Sequence, residues 1–426
     1  MNYQETMAYL FRRLPMFQRV GPQAFKKDLG NISQMMEFLG HPHQKYPTIH
    51  IAGTNGKGSV THILANMLMT LGLKVGLYTS PHYRDFRERI KINGQLMPKR
   101  AVTSFVRKHQ QAIQAIQASF FEVSVAMAFD YFAQEDVDVA IIETGLGGRL
   151  DSTNIIRPIL SVITNISLDH QSMLGDTLAQ IAYEKAGIIK QGVPVILGER
   201  NPETFPVFKK KAQDLNAPLI LAEKMTQISV ERNDIQGIEG SFTYQNSVYH
   251  LDTDISGPYQ VQNLQTAITA FKLLGKMKFI QGNLPKDALS NIRQRTHFIG
   301  RWTILSEKPL TIADSAHNLA GLTLLAQAIQ KIPHHKLYIV LGTVKDKDPS
   351  YLFDILPKEA FFHFAKANIP RGLEAAQLKE IAERNGIQGQ AYSSVPRALA
   401  AARRKADEND LIVVGGSIFV VGEVVR

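Results

Sequence analysis

Residues 48–72, TIHIAGTNGKGSVTHILANMLMTLG, leave few folds open. The first six read as a buried strand, and the glycines at 53, 56 and 58 break it. Beyond them Val60, Ile63, Leu64, Met67, Leu68 and Leu71 recur at helical spacing, with Gly72 as a stop. Strand, glycine turn and helix in this order form a phosphate-binding unit. Backbone N–H groups can approach phosphate, the helix N-terminus supplies positive potential, and Lys57 adds a point charge. Gly53, Thr54, Asn55, Gly56, Lys57, Gly58 and Ser59 are therefore the expected phosphate-contacting residues. The plain alternative is an ordinary strand-to-helix turn, and the glycines beside a lysine speak against it. The spelling departs from the usual G-x-x-x-x-G-K-[ST] loop. Only two residues separate Gly53 from Gly56, and Gly58 stands where a metal-binding hydroxyl is expected.

The same alternation continues along the chain. KVGLYTS, VDVAIIE, ILSVITNI and VPVILG read as buried strands, with TSFVRKHQQAIQAI and a stretch near 176–186 as helices. Strands alternating with helices imply a mostly parallel sheet covered by helices, with ligands at the carboxyl ends of the strands. GSFTYQNSVYHLDTDI alternates differently, with turn-like Gly240 and Asn246, and reads as a small antiparallel addition. QNLQTAITAFKLLG is helical. A second alternation begins near Gly300 with LTIADSAHN, KLYIVLGTVKDKD, AFFHFAKAN and DLIVVGGSIFVVGEV. The boundary is placed within 294–300. The expected domains are 1–296 and 297–426, which suits 426 residues.

Composition narrows the chemistry. There is no cysteine, which excludes disulfides, thiolate metal sites and cysteine nucleophiles. Any metal must be held by oxygen or imidazole, as suits a hard ion such as magnesium. The net charge of +10 favours anionic partners, but Lys and Arg are scattered, so small polyanions are expected and nucleic acid is not. The N-terminal MNYQETMAYLFRRLP does not read as a signal peptide, and no apolar run reads as a membrane span. A cytoplasmic, monomeric protein is the expectation.

Several motifs, taken in order, resemble the folylpolyglutamate synthase/dihydrofolate synthase family, the folate branch of the Mur ligases. They are GTNGKGS, YTSPHYRDFRERIKING, FFEVSVAMAFDYF, ETGLGGRLDSTN, TNISLDHQSMLGDTLAQIAYEKAGIIK, DSAHN, GTVKDKD and GGSIFVVGEV. The resemblance spans nearly the whole chain. It implies an α/β fold: a Mur-ligase-type P-loop ATPase domain with a mostly parallel sheet and a small antiparallel addition, then a smaller Rossmann-like domain. It also implies an ATP-dependent ligase that joins L-glutamate to dihydropteroate or reduced folate through an acyl phosphate.

The resemblance carries particular residues. Ser80, Glu143 and His170 each lie just past a strand, so one sheet edge could bring them together, and the family assigns magnesium to them. Ser80 would then stand in for the hydroxyl missing at Gly58. Further ATP contacts carry over to Gln260, Asn263, Arg301, Asp314 and His317. Tyr259, Ser315 and Leu319 depart from the family's usual His, Gly and Pro. The catalytic set is Lys57, Glu143, His170 and Lys185. Lys185 lies seven residues after Leu178 on the apolar face of its helix. Such lysines usually reach out to water, whereas burial would favour the neutral amine. The resemblance implies that this amine can be carbamylated by carbon dioxide.

Other features read as structural. GLGGR, residues 145–149, lacks dinucleotide-loop spacing and is taken as a substrate-side loop. DKD at 346–348 and RRK at 403–405 read as solvated. LPMFQRVGPQAFKKDLGN, residues 14–31, is a candidate for the pterin side. A Mur-type ligase of cell-wall precursors and a nucleotide-binding regulatory ATPase remain as alternatives, though GTNGKGS and SPH favour the folate branch.

Overall fold

The computed structural model describes residues 1–16, 28–244, 247–282, 284–345 and 348–425. Residues 17–27 of the candidate pterin segment, the turn at Asn246, and Asp346 and Lys347 of DKD lie outside them. The chain forms two compact units. The first comprises residues 1–232, 238–254 and 260–297, and the second comprises 233–237, 255–259 and 298–426.

The first unit is built on an eight-stranded sheet. Its strands are β1 (Thr48–Ala52), β2 (Val75–Tyr78), β3 (Ile90–Ile92), β4 (Gln95–Leu96), β5 (Val139–Glu143), β6 (Leu160–Ile163), β7 (Val195–Leu197) and β8 (Leu219–Leu221). The order is β4-β3-β2-β5-β1-β6-β7-β8. From β2 to β8 along this order the strands run parallel, while β3 and β4 add antiparallel pairs at one edge. β1, β2, β5 and β6 are buried along their whole length, so they read as unbroken apolar runs. β1 lies between β5 and β6, with Ile51 beside Glu143 and Ala52 beside Ile163. The end of β1 is thus flanked by the ends of both neighbours.

The Lys57–Thr70 helix follows the glycine loop and packs on the Gln260–Lys276 helix. Val60, Ile63, Leu64, Met67 and Leu68 are fully buried. Each such side chain contributes about 1.5–3 kcal/mol of transfer free energy. That anchoring lets the loop before the helix remain polar. β9 (Ile228–Asn233), β10 (Ile238–Tyr244) and β11 (Ser247–Thr253) form a separate three-stranded sheet, with β10 and β11 antiparallel.

The second unit has six strands: β12 (Thr303–Glu307), β13 (Leu310–Ala313), β14 (Leu337–Leu341), β15 (Phe361–Ala365), β16 (Gly389–Tyr392) and β17 (Leu411–Gly415). Their order is β12-β13-β17-β14-β15-β16, parallel apart from β12. Ile339, Phe362, Phe364, Leu378 and Val413 belong to its own apolar core. Arg403, Arg404 and Lys405 end the Val395–Lys405 helix as exposed residues. Among the described residues, no helix is long and apolar enough to cross a membrane.

Candidate active site

Residues 53–56 turn sharply at the carboxyl end of β1. Gly53 has φ near +150°, and a Cβ there would stand 1.9 Å from Thr164 Oγ1. Gly56 has φ near +85°, and its Cβ would stand 2.3 Å from Asn263 Oδ1. Only glycine fits either place. The loop is tied from the β6 side. Thr54 N–H donates to the Asn165 carbonyl at 2.8 Å, Asn55 N–H to Asn165 Oδ1 at 2.9 Å, and Thr164 Oγ1 to the Asn55 carbonyl at 2.5 Å. Gly56 starts the Lys57–Thr70 helix with no side-chain cap. A helix start without a side-chain cap is suited to an external acceptor such as phosphate.

Both lysines of the expected catalytic set reach this loop. Lys57 is half-buried, and its Nζ donates to the Gly53 carbonyl at 2.9 Å and the Thr54 carbonyl at 3.2 Å. A P-loop lysine is expected to face solvent; here it folds back onto the loop, whose carbonyls are strong acceptors within its reach. Lys185 Nζ donates to the same Gly53 carbonyl at 2.8 Å. Lys185 is buried, so it does not snorkel to water. Thr177 fixes the helix that carries it. Its Oγ1 accepts from Gln180 N–H, and Gln180 Oε1 accepts from Thr177 N–H, a reciprocal cap written in the sequence as T-x-x-Q. Burial, reinforced by the nearby Lys57 charge, lowers the Lys185 amine to about 7, against opposing pulls from Asp169 and Asp151.

Glu143 ends β5 and is buried, and its Oε2 accepts from Ser80 N–H at 3.2 Å. Ser80 follows β2, the strand next to β5. A Cβ on Gly58 would lie 3.8 Å from the same Glu143 Oε2. The carboxylate thus faces the position of the missing P-loop hydroxyl. Ser80 Oγ is buried with no protein partner, an oxygen donor beside a carboxylate. His170 begins the short Gln171–Leu174 helix with φ near +52°, its N–H on Asp169 Oδ1 at 2.9 Å. Among the described residues, no three His, Asp or Glu side chains cluster as a metal cage. A cation here would need hydroxyl and ligand oxygens as well, which is how magnesium is usually held.

Gln260 and Asn263 open the Gln260–Lys276 helix and are joined by Asn263 Nδ2 donating to Gln260 Oε1 at 2.9 Å. Gln260 Nε2 is buried with no protein acceptor. Ser59 Oγ, inside the helix start, is likewise buried and unpartnered. Arg301, Asp314 and His317 belong to the second unit. Asp314 is buried, with one oxygen accepting from Trp302 N–H at 2.8 Å and from the Tyr259 hydroxyl, and the other from Ala316 N–H at 2.8 Å. Tyr259, where the family usually has His, thus supports Asp314 directly. Ser315 Oγ donates to the Gly300 carbonyl, and His317 Nδ1 lies 2.9 Å from the Ser315 carbonyl. Half-buried Arg301 stands just before Trp302.

Asp151 was not singled out by sequence reasoning, although it ends GLGGRLD. It is buried and accepts from Gly145 and Leu146 N–H on one oxygen, and from Thr153 N–H and Oγ1 on the other. It thereby fixes the glycine loop after Glu143, and burial raises its carboxyl above the ordinary value. An acid closing a glycine-rich loop was the available signal.

This arrangement defines an ATP-handling class: a phosphate loop with two amines, facing a carboxylate and a hydroxyl on the ends of parallel strands. The chain matches the Mur ligase middle domain over residues 51–271 and the Mur ligase glutamate ligase domain over residues 300–418. It is 32% identical over 433 residues to a Bacillus subtilis dihydrofolate synthase/folylpolyglutamate synthase, covering 99% of this chain and 98% of that one. It is 34% identical over 439 residues to a Lacticaseibacillus casei folylpolyglutamate synthase, covering 100% and 98%. It spans half the length of a Haloferax volcanii relative named as a probable bifunctional folylpolyglutamate synthase/dihydropteroate synthase. A structure of E. coli FolC in complex with DHPP and ADP superposes with a TM-score of 0.83 at 30% identity, covering 100% of this chain and 97% of that one. The chain belongs to the folylpolyglutamate synthase/dihydrofolate synthase family of Mur ligases. It is an ATP-dependent ligase.

Proposed function

We propose that the chain adds L-glutamate both to dihydropteroate and to reduced folates. The observation that carries this reading is the convergence of Lys57 and Lys185 on the Gly53 carbonyl, with the buried Glu143–Ser80 pair at the neighbouring strand ends. That site is built to hold phosphate and contains no cysteine nucleophile. Relatives named for both activities and for one alone make both substrates the relevant comparison.

The substrates supply the reacting atoms. An oxygen of the acid's carboxylate attacks the γ-phosphorus of ATP, and the bond to ADP breaks. The acyl phosphate so formed is attacked at carbon by the neutral amine of glutamate. Phosphate leaves with the bonding pair, and the amide nitrogen gives up its proton. The helix N-terminus and Lys57 bind and orient the phosphates, and the ligand draws the Lys57 ammonium off the loop carbonyls. Such transfer depends on positioning and charge neutralisation.

The unpartnered Ser80 hydroxyl and the buried Glu143 carboxylate suit a hard divalent cation, and His170 is assigned with them as its third ligand. Magnesium bound by them would neutralise charge on the ATP phosphates. Gln260, Asn263, Arg301, Asp314 and His317 are assigned to the rest of the nucleotide. Lys185 is assigned a carbamate, because burial supplies the neutral amine that carbon dioxide requires. The test is phosphate release from ATP with dihydropteroate and tetrahydrofolate supplied separately, with and without glutamate. The reading expects release that needs acid and glutamate together for both acids. Release with neither acid would remove it, and release with tetrahydrofolate alone would reduce it to one activity.

A further inference from the structure

Arg89 stands just before β3 with only 4% of its surface exposed. Its Nε–H donates to His82 Nδ1 at 2.8 Å, and its guanidinium lies over the Phe120 ring, 5.3 Å from the centroid. The Tyr78 hydroxyl also hydrogen-bonds to it. All three neighbours are neutral, and among the described residues none forms an ion pair with Arg89. Glu88 and Glu143 act on it only through space. A guanidinium stays charged at any working pH, so this is a desolvated cation without a counter-ion in contact. Burying such a charge costs stability unless an anion arrives to meet it. The hydrogen bond to His82 fixes the fork's orientation while leaving its terminal N–H groups uncommitted to any carboxylate.

Two kinds of surroundings meet at Arg89. On one side is an aromatic wall. Phe11 stacks on Phe120 at 5.3 Å, Phe86 meets Phe120 at 5.8 Å, and His82 meets Phe11 at 5.8 Å. Phe11 and His82 are only half-buried, so part of this wall is open. On the other side is the sheet end, where Thr79 N–H donates to the Arg89 carbonyl at 3.0 Å and Ser80 and Glu143 follow. ATP phosphates already have the 53–57 loop. An anion that carries an aromatic body on one side and must reach the phosphate loop on the other is the acid substrate.

We propose that Arg89 binds the reacting carboxylate of the acid substrate and holds the same group as its oxygen is phosphorylated. A fork is suited to a carboxylate in a way a point charge is not. This rests on the ligase reading above.

The first test is Arg89→Lys, with acid, ATP and glutamate varied separately in steady-state assays. Lysine keeps the charge and removes the fork, so KM for dihydropteroate should rise at least tenfold, with KM for ATP and glutamate within twofold of wild type. An unchanged KM for the acid, or an equal rise for ATP, would overturn the assignment and leave Arg89 as a support for the loop bearing Ser80. The second test needs no variant: binding of dihydropteroate and of its carboxamide to the wild-type protein without ATP or magnesium. The carboxamide should bind at least tenfold more weakly; equal affinity would overturn the assignment. Turnover of dihydropteroate by wild type separates the two claims, because an active wild type with no carboxylate preference defeats only Arg89.

Discussion

At the carboxyl ends of β1, β2 and β5, the amines of Lys57 and Lys185 and the Arg89 guanidinium make the contacts described above, with Glu143 buried nearby. At the corner formed by β13 and Tyr259, Asp314 is as deeply buried but is met on both oxygens by protein donors. The second place meets its carboxylate with three hydrogen-bond donors of the protein. The first gathers basic and acidic groups at strand ends, where ligand phosphate, metal or carboxylate can join them. A chain tolerates so many ionisable groups drawn together in one place where function requires it. The comparison therefore predicts that substitutions in the first region reduce turnover more than stability, and that the reverse holds for a group such as Tyr259 that supports Asp314 without being assigned to the nucleotide.

The sharpest break should come from Glu143→Gln, which keeps shape and removes charge. Turnover should fall on the order of a thousandfold, with a weaker dependence on added magnesium. Full activity at ordinary magnesium would remove Glu143 from the site. Lys57→Ala should come next, losing on the order of a hundredfold in turnover. Its stability should fall by only about 1 kcal/mol, because Lys57 is half-buried and bonds loop carbonyls. Urea unfolding and turnover measured on one preparation would expose a variant that is merely unfolded.

Lys185→Ala should lose activity while keeping ATP affinity, and a small carboxylic acid added to the assay should restore part of it. Lys185→Arg should fail as well, since the guanidinium cannot take up carbon dioxide in this way; full activity there would mean that positive charge alone suffices. Stability should also respond to pH. Burial lowers both Lys185 and Lys91 to about 7 from an ordinary 10.5. Above the folded value the native amine is neutral while the unfolded amine still binds a proton. Unfolding free energy should therefore rise with pH between about 7 and 10.5 and show no such rise below, where both states are charged. Lys91→Met should flatten part of the rise, and an unchanged slope would count against burial having lowered the Lys91 amine. The smallest effect is expected at Tyr259→Phe. Asp314 keeps its backbone donors, so about 1–2 kcal/mol of stability should go, with turnover unchanged when assayed below the melting range.

Much of this contrast was legible in the chain. The long buried strands and the glycine loop stand out because apolar runs and glycine punctuation are local signals, and the apolar helix face already pointed Lys185 inward. The edge strands were harder. β12 and β16 carry part-exposed residues and no long apolar run, and β8 is an apolar stretch of only three residues. Arg89 was illegible for a related reason. In RDFRERIKI it sits in a run that reads as solvated charge, and only the pairing of β3 with β2 carries it inside. The fold-back of Lys57 depends on where the loop places the Gly53 and Thr54 carbonyls, which residue type alone does not reveal.

The central claim is that this site phosphorylates a carboxylate before glutamate attacks. Turnover of dihydropteroate labelled with heavy oxygen in its carboxylate, in the presence of ATP and glutamate, tests it most directly. The account predicts that one labelled oxygen appears in the inorganic phosphate released for each amide formed. Unlabelled phosphate, with amide still produced, would contradict it.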